Sequence, residues 1–386
     1  MSSIEKSIAI IPKVGGCLSL IGCTLIMRDV FVRWRKKKAV PLTSVVVFCI
    51  SVCYWFYSFF SAFMSTWMAP KDSGAHMASG NTQTCTAQGF ITLFMLAASM
   101  IYYTVLMILY WMIVKFGWTE RHMRQWKVRL PYLLTAPIVS LVLAVPPLFY
   151  GLYNYSGGFT CFIAPNPSDC DHNLDMTCGM SEVAWRFWDV FMAMAIVCNL
   201  VIVIFVILLV TTIYKQERKN DRYTFRGQDR KRENTIMTAW QGFRYTGAFT
   251  IAYLPTYIIM VYQVADNRPQ IPNVVTYMQL ILNPLLGFLN AFVYFRPRYI
   301  QLKRGNPDKD RASRLSSIFN VDLSVTARLS KLRWSFNKTD RSDSGLLDAN
   351  NDSEGQGGCY NNSNGETDLL STLHEDVVES RDESLV

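Results

Sequence analysis

Residues Asn283–Tyr299 read NPLLGFLNAFVYFRPRY. Up to Phe295 the stretch is apolar apart from Asn283, Asn290 and Tyr294, and it then turns basic at Arg296 and Arg298. Asn283, Gly287, Asn290 and Tyr294 recur at i, i+4, i+7 and i+11, so a helix presents them as one stripe. Gly287 lets a neighbouring backbone come close, and the two asparagines can hydrogen-bond across helices. Tyr294 brings its hydroxyl to the basic end. The pattern is that of a helix packed into a bundle within a bilayer.

The rest of the chain agrees. Of 386 residues, 51% are hydrophobic and only 17% charged, below the roughly 25% charged residues of soluble proteins. A helix needs about 20 apolar residues to cross a hydrocarbon layer about 30 Å thick. Seven runs meet that length: Ser7–Val30, Leu42–Ala69, Cys85–Val114, Leu130–Leu152, Trp185–Tyr214, Thr238–Val264 and Pro272–Phe295. Pro12 and Lys13 interrupt the first. A basic cluster follows it directly and no convincing small-residue cleavage site is present, so it reads as a retained helix. Lys13 is expected to snorkel outward.

Lys and Arg in the short loops set the orientation. The first, third and fifth loops together carry 19, and the second, fourth and sixth carry 2, Lys71 and Arg268. The expectation is an all-α membrane protein: a seven-transmembrane-helix bundle over 1–303, N-terminus outside, with a disordered cytoplasmic tail over 304–386. FRPRYIQLKR alternates basic and apolar residues and predicts a short amphipathic helix near 296–303, lying on the inner leaflet.

Ten cysteines divide by location. Cys17, Cys23, Cys49, Cys53 and Cys198 lie within helices, and Cys359 lies in the tail. Cys85, Cys161, Cys170 and Cys178 fall outside, where disulfides persist. Four cysteines allow three connectivities. Cys85–Cys161 would staple the second outer loop over the bundle, and Cys170–Cys178 would close a small loop of its own. Asn154-Tyr-Ser is the one outer glycosylation sequon.

The tail is polar throughout, basic over Lys303–Arg341 and acidic over Asp343–Val386. Ser313, Ser316, Ser317, Ser330 and Ser335 sit in the basic part as candidate phosphorylation sites, where phosphate would weaken lipid attraction and create an arginine-readable mark. The final Glu-Ser-Leu-Val, with Ser384 and Val386, fits strand addition to a PDZ domain.

Several classes are excluded by what the runs lack. A microbial-type retinal protein needs a lysine in helix seven, and Pro272–Phe295 has none. The histidines, His76, His122, His172 and His374, lie in loops or tail without metal-ligand spacing, and no catalytic constellation is visible. The chain is expected to be no enzyme, to hold no metal or cofactor and to bind no nucleic acid. Related halves with paired broken helices, as in transporters, are not evident.

Polar residues within the runs are costly and therefore informative. Glu182, Arg186 and Asp189 share one face at the outer end of helix five, either as a self-satisfied cluster or as a pocket rim. Asp189 is the one acid well inside a run. Arg244 lies about two turns into helix six, and Pro255 frees a backbone carbonyl further along the same helix.

Asn283-Pro284 begins like the N-P-x-x-Y of rhodopsin-like receptors, yet Gly287 stands at the tyrosine position, and helix three ends without D-R-Y. Instead P-L-x-G-F-x-N-x-x-V-Y, as Pro284, Leu285, Gly287, Phe288, Asn290, Val293 and Tyr294, resembles the cyclic-AMP-receptor family of slime moulds. YYTVLMILYWMIVK (Tyr102–Lys115) is similar to that family's helix-three end, and Cys161, Phe162 and Ile163 to its second outer loop. The resemblance spans about residues 5–300.

It implies a G-protein-coupled receptor in the plasma membrane. Such a receptor senses an extracellular small molecule, cyclic AMP in the named members, or a peptide, and opens helix six to a heterotrimeric G protein. Kinase and arrestin-type regulators and a PDZ protein are further expected partners. A seven-helix transporter or scaffold without G-protein coupling is the alternative.

Candidate pocket residues are Gln88, Arg186, Asp189 and Tyr257, with Tyr262, Gln263, Tyr277 and Gln279; the glutamines and tyrosines among them serve equally as bundle packing and interface anchors. Candidate switch residues are Tyr110, Lys115, Arg121, Arg244 and Pro255, with Asn283, Gly287, Asn290 and Tyr294. Outer cations are few (Lys13, Lys71, Arg186, Arg268), and the second outer loop is acidic through Asp169, Asp171, Asp175 and Glu182.

Overall fold

The computed structural model describes residues 3–36, 40–117, 125–155, 159–164, 181–220, 229–265 and 273–305. Among these lie seven long α-helices: α1 (Ser3–Arg35), α2 (Leu42–Tyr57), α3 (Thr82–Phe116), α4 (Trp126–Phe149), α5 (Ser181–Asn220), α6 (Asp229–Ala265) and α7 (Asn273–Gly305). A hairpin of β1 (Tyr153–Tyr155) and β2 (Cys161–Ile163) pairs antiparallel between α4 and α5, Tyr155 opposite Cys161. Cys170, Cys178, Arg121, the tail serines and the tail from residue 306 on lie outside the described residues.

Six of these helices hold stretches long and apolar enough to cross a membrane: Ala9–Arg35, Leu42–Met68, Thr82–Phe116, Arg129–Phe149, Glu182–Gln216 and Val274–Pro297. α6, expected to span at 238–264, is not among them. It is 37 residues long, but Gln241, Arg244, Thr246, Thr250 and Thr256 dilute its apolar positions. α5 is the opposite case, with a mean hydropathy of 3.2 and only 22% of its apolar window buried. Val197, Leu200, Ile204 and Ile207 of α5 and Val142 of α4 stand more than half exposed. Apolar walls of that extent are rare on proteins surrounded by water. The chain is a mostly helical protein with the make-up of a membrane-embedded one.

Local sequence explains the ends and irregularities. α3 begins in a capping box: the Thr84 backbone N–H donates to Asn81 Oδ1 at 2.8 Å, and the Asn81 N–H to Thr84 Oγ1 at 2.8 Å. It stops at Gly117, whose φ of 63° closes the helix in the left-handed region. α2 does not run as α-helix to Ala69, as its apolar run predicts. It widens into a π-helical segment at Ser58–Met64 and tightens into 3-10 turns at Ser65–Met68. α7 continues without a break through 296–303, the stretch expected to form a separate amphipathic helix.

Short connections make α1, α2 and α3 alternate in direction. α1 and α7 run parallel, because Ser19 meets Pro284 and, further along both helices, Arg33 meets Tyr294. The bundle therefore has two distinct ends. One carries the hairpin and the Cys85–Cys161 disulfide, which ties the start of α3 to β2. The other collects Arg28, Arg33, Arg35, Lys115, Arg129, Lys215 and Arg296 from the ends of five helices.

Candidate functional site

The middle of the bundle holds a layer of tyrosines and asparagines. Tyr54 of α2, Tyr103 of α3 and Tyr253 of α6 are buried, as is Asn290 of α7. The Tyr54 and Tyr253 hydroxyls are 3.0 Å apart, joining α2 to α6. Tyr103 Oη donates to Asn290 Oδ1 at 2.7 Å, joining α3 to α7. The two bonds are neighbours, for the Tyr54 and Tyr103 rings meet edge-on with centroids 6.1 Å apart. Phe249 packs against both Tyr103 (4.6 Å) and Tyr253 (4.7 Å). Buried phenols need partners, so each tyrosine here fixes one helix against another.

Further along α6, Asn283 Nδ2 donates to Thr256 Oγ1 at 3.1 Å, next to the buried Pro255. The layer is not saturated. Asn283 Oδ1 and Asn290 Nδ2 are buried without a hydrogen-bond partner. An unmade bond in a low-dielectric interior is costly, so the layer keeps capacity that a second arrangement of α6 and α7 can use.

Toward the basic end, α6 closes on α3 at Gly242. A Cβ there would lie 3.0 Å from the edge of the Tyr110 ring and 3.6 Å from the Leu209 side chain of α5. Gln216 Nε2 donates to the Val114 carbonyl at 2.9 Å, tying α5 to α3. Lys115 lies over Trp111 of its own helix, and the Arg244 guanidinium over Trp240, 5.8 Å from the ring centre.

α1 and α7 form a tighter seam. Ser19 Oγ donates to the Pro284 carbonyl and accepts from the Phe288 N–H at 3.3 Å. A Cβ on Gly22 would fall 2.9 Å from Phe288 Cα and 3.0 Å from the Gly287 carbonyl oxygen. One on Gly287 would fall 2.8 Å from Cys23 Sγ. At the basic end Arg33 and Tyr294 both bind Asp29, at 2.6 and 2.7 Å, and Arg33 also donates to the Tyr294 hydroxyl.

The expected switch residues Asn283, Gly287, Asn290 and Tyr294 thus lie on α7 facing three different helices: α6, α1 and α3. Asp29 and Arg33 complete the Tyr294 contact, although the sequence reading counted Arg33 only as a topological charge and passed over Asp29. Their i, i+4 spacing was the available signal. Tyr54, Tyr103 and Tyr253 were also missed. Three phenols inside apolar runs were the clue, since each had to find a partner.

Among the described residues, the expected pocket residues do not converge. Gln88 is fully buried as a structural pin: Nε2 donates to the Phe60 and Ser65 carbonyls (2.6 and 2.8 Å), and Oε1 accepts from the Cys161 N–H (3.1 Å). Arg186 pairs with Glu182 at 2.6 Å, both more than three-quarters exposed, and Asp189 is exposed as well. Tyr257 is half-buried with its Oη unpartnered and its ring 6.4 Å from Tyr253. Tyr277 and Gln279 are half-buried on α7, and the side chains of Tyr262 and Gln263 lie outside the described set.

A cleft of about 210 Å³ lies between α3, α4, α5 and β2. Its lining, which includes Leu93, Val142, Ile163, Phe187 and Phe191, contains none of the expected pocket residues. Asn154 spends its amide on the Gly151 and Ala164 carbonyls, at 3.1 and 3.0 Å, bracing the hairpin.

No family model matches the chain, and no curated protein matches it.

Proposed function

We propose that the chain is a G-protein-coupled receptor of the cyclic-AMP-receptor-like type, with α6 as its seventh span. Its N-terminus and disulfide end face outward, and its basic end faces the cytoplasm at the plasma membrane. The 19-to-2 distribution of Lys and Arg between alternate loops supports that orientation. An extracellular small molecule or peptide is the signal, and a heterotrimeric G protein is the partner at the basic end.

One observation carries the reading. α6 is tied to α2 and α7 by neutral hydroxyl and amide bonds, beside unpartnered groups on Asn283 and Asn290. Neutral bonds with spare partners nearby exchange at small cost, whereas an ion pair would resist. Opening α6 away from α3 at Gly242 would expose a cleft among α3, α5 and α6 beside Lys115 and Arg244. A ligand drives such a shift only by binding the two states differently.

The test is nucleotide exchange on a panel of purified heterotrimeric G proteins with the receptor in nanodiscs. Gly242→Phe drives a ring into Tyr110 and is expected to raise basal exchange above wild type on at least one G protein. A folded, membrane-inserted Gly242→Phe that stimulates none of the panel contradicts the receptor reading.

A further inference from the structure

Lys13 does not snorkel. Its Nζ is out of contact with solvent and has no hydrogen-bond partner, and no ion pair reaches it among the described residues. The ammonium lies over the Trp67 ring, 4.4 Å from the centroid. Ile10 and Val14 beside Lys13 are exposed, and Lys13 lies half-buried at the edge of that exposed stripe, with its ammonium turned over Trp67. An aromatic face attracts a cation but accepts none of its three N–H donors in the way an oxygen does. A buried ammonium in this position calls for an anion.

The segment opposite is irregular in a way that packing alone does not require. α1 meets it closely, for a Cβ on Gly16 would fall 2.9 Å from Ala62 Cβ and 3.1 Å from the Phe63 nitrogen. This is where α2 opens into the π-helical segment and then tightens at Ser65, a non-glycine residue with φ of 45°. Such segments and such backbone outliers concentrate at functional positions. Gln88 holds the distortion in place through the Phe60 and Ser65 carbonyls. The hydroxyls of Ser58 and Thr66, on the same segment, are buried and also lack partners. The ammonium lies against the Trp67 end of a segment that carries unused hydroxyl donors, and a cation with such donors on the neighbouring segment has the chemistry of an oxyanion site.

We propose that Lys13, with the 58–67 segment, binds the carboxylate or phosphate of a soluble organic anion, and that this is the charged group of the molecule sensed. The proposal rests on the receptor reading for its physiological meaning, but its test requires no G protein. The full chain is purified in phospholipid-free detergent and unfolded thermally with benzoate or phenyl phosphate, each against chloride at equal ionic strength.

Wild type is expected to gain Tm with at least one probe. Lys13→Met, which keeps the side chain's length and removes its charge, is expected to be at least as stable as wild type without probe. It should also lose the probe response, the apparent Kd weakening by about tenfold or more. The proposal is overturned if Lys13→Met lowers Tm or fails to fold, or if it keeps the probe response. It is also overturned if neither probe shifts wild type. A parallel arm adds phosphatidylserine: a Tm gain from that lipid alone would make a headgroup the occupant and overturn the proposal likewise. A Lys13-dependent shift without any G-protein exchange would sink the receptor reading and leave the anion site. Exchange without a shift would do the reverse.

Discussion

The α1–α7 seam and the α3–α6 contact are both built on glycine, and the atoms facing those glycines differ in kind. Gly22 faces backbone, the Phe288 Cα and the Gly287 carbonyl. Gly242 faces side chains, the edge of Tyr110 and the tip of Leu209. A rotamer can yield where a packed backbone cannot. The polar contacts follow the same division. Ser19 bridges α1 to the α7 backbone, and a carboxylate, a guanidinium and a phenol close the seam at its basic end. α6 is joined to its neighbours by neutral phenol and amide bonds. One side of the bundle is a fixed frame, and the other holds a helix for which no ion pair is found among the described residues.

The largest expected effect is at the frame. Gly22→Leu is expected to cost about 3 kcal/mol, seen as a large fall in Tm or loss of folded protein. Gly242→Leu should cost clearly less, because Tyr110 and Leu209 can repack. Equal losses in the two variants would erase the distinction between the walls.

Within the central layer, Tyr103→Phe removes the bond to Asn290 and leaves that amide with neither end paired. The expected loss is about 1–3 kcal/mol in denaturation measurements. Tyr257→Phe removes a hydroxyl that has no partner, so stability should stay within about 0.5 kcal/mol of wild type or rise. Reversing that order would mean the layer does not hold α3 to α7.

At the basic end of the frame, Tyr294→Phe should lower stability by about 1 kcal/mol, less than a fully buried charged contact because Asp29 and Arg33 are partly exposed. The smallest effect is at the exposed pair near the disulfide end. Glu182→Gln should change stability by less than about 0.5 kcal/mol.

The helices were legible in the sequence because apolar runs of bilayer length have few other uses. The α7 stripe was legible because its spacing is helical and its residues are polar in an apolar setting. The identity of what each stripe residue touches was not. Asn283, Gly287, Asn290 and Tyr294 share a stripe yet meet three helices, which only the packing decides. The break in α2 was hidden because SFFSAFM carries neither proline nor glycine, and the distortion is held from outside by Gln88. Gln88 stayed open between two roles in the sequence, because a glutamine in the outer half of a span serves equally as ligand contact or pin, and its contacts here are those of a pin. Lys13 was misread for a related reason: its length permits snorkelling, and the Trp67 ring covering it lies 54 residues away in the chain.

The most direct test of a moving α6 against a fixed α1–α7 frame is a pair of distances measured by pulsed electron resonance. Spin-labelled unnatural amino acids would replace the exposed Phe116 and Trp240 to report α3–α6, and the exposed Phe31 and Phe292 to report α1–α7. With a nucleotide-free G protein bound, the Phe116–Trp240 distance is predicted to lengthen by several ångströms while the Phe31–Phe292 distribution stays single and unmoved. An unchanged α3–α6 distance in a complex shown to be intact, or equal movement in both pairs, would contradict the account.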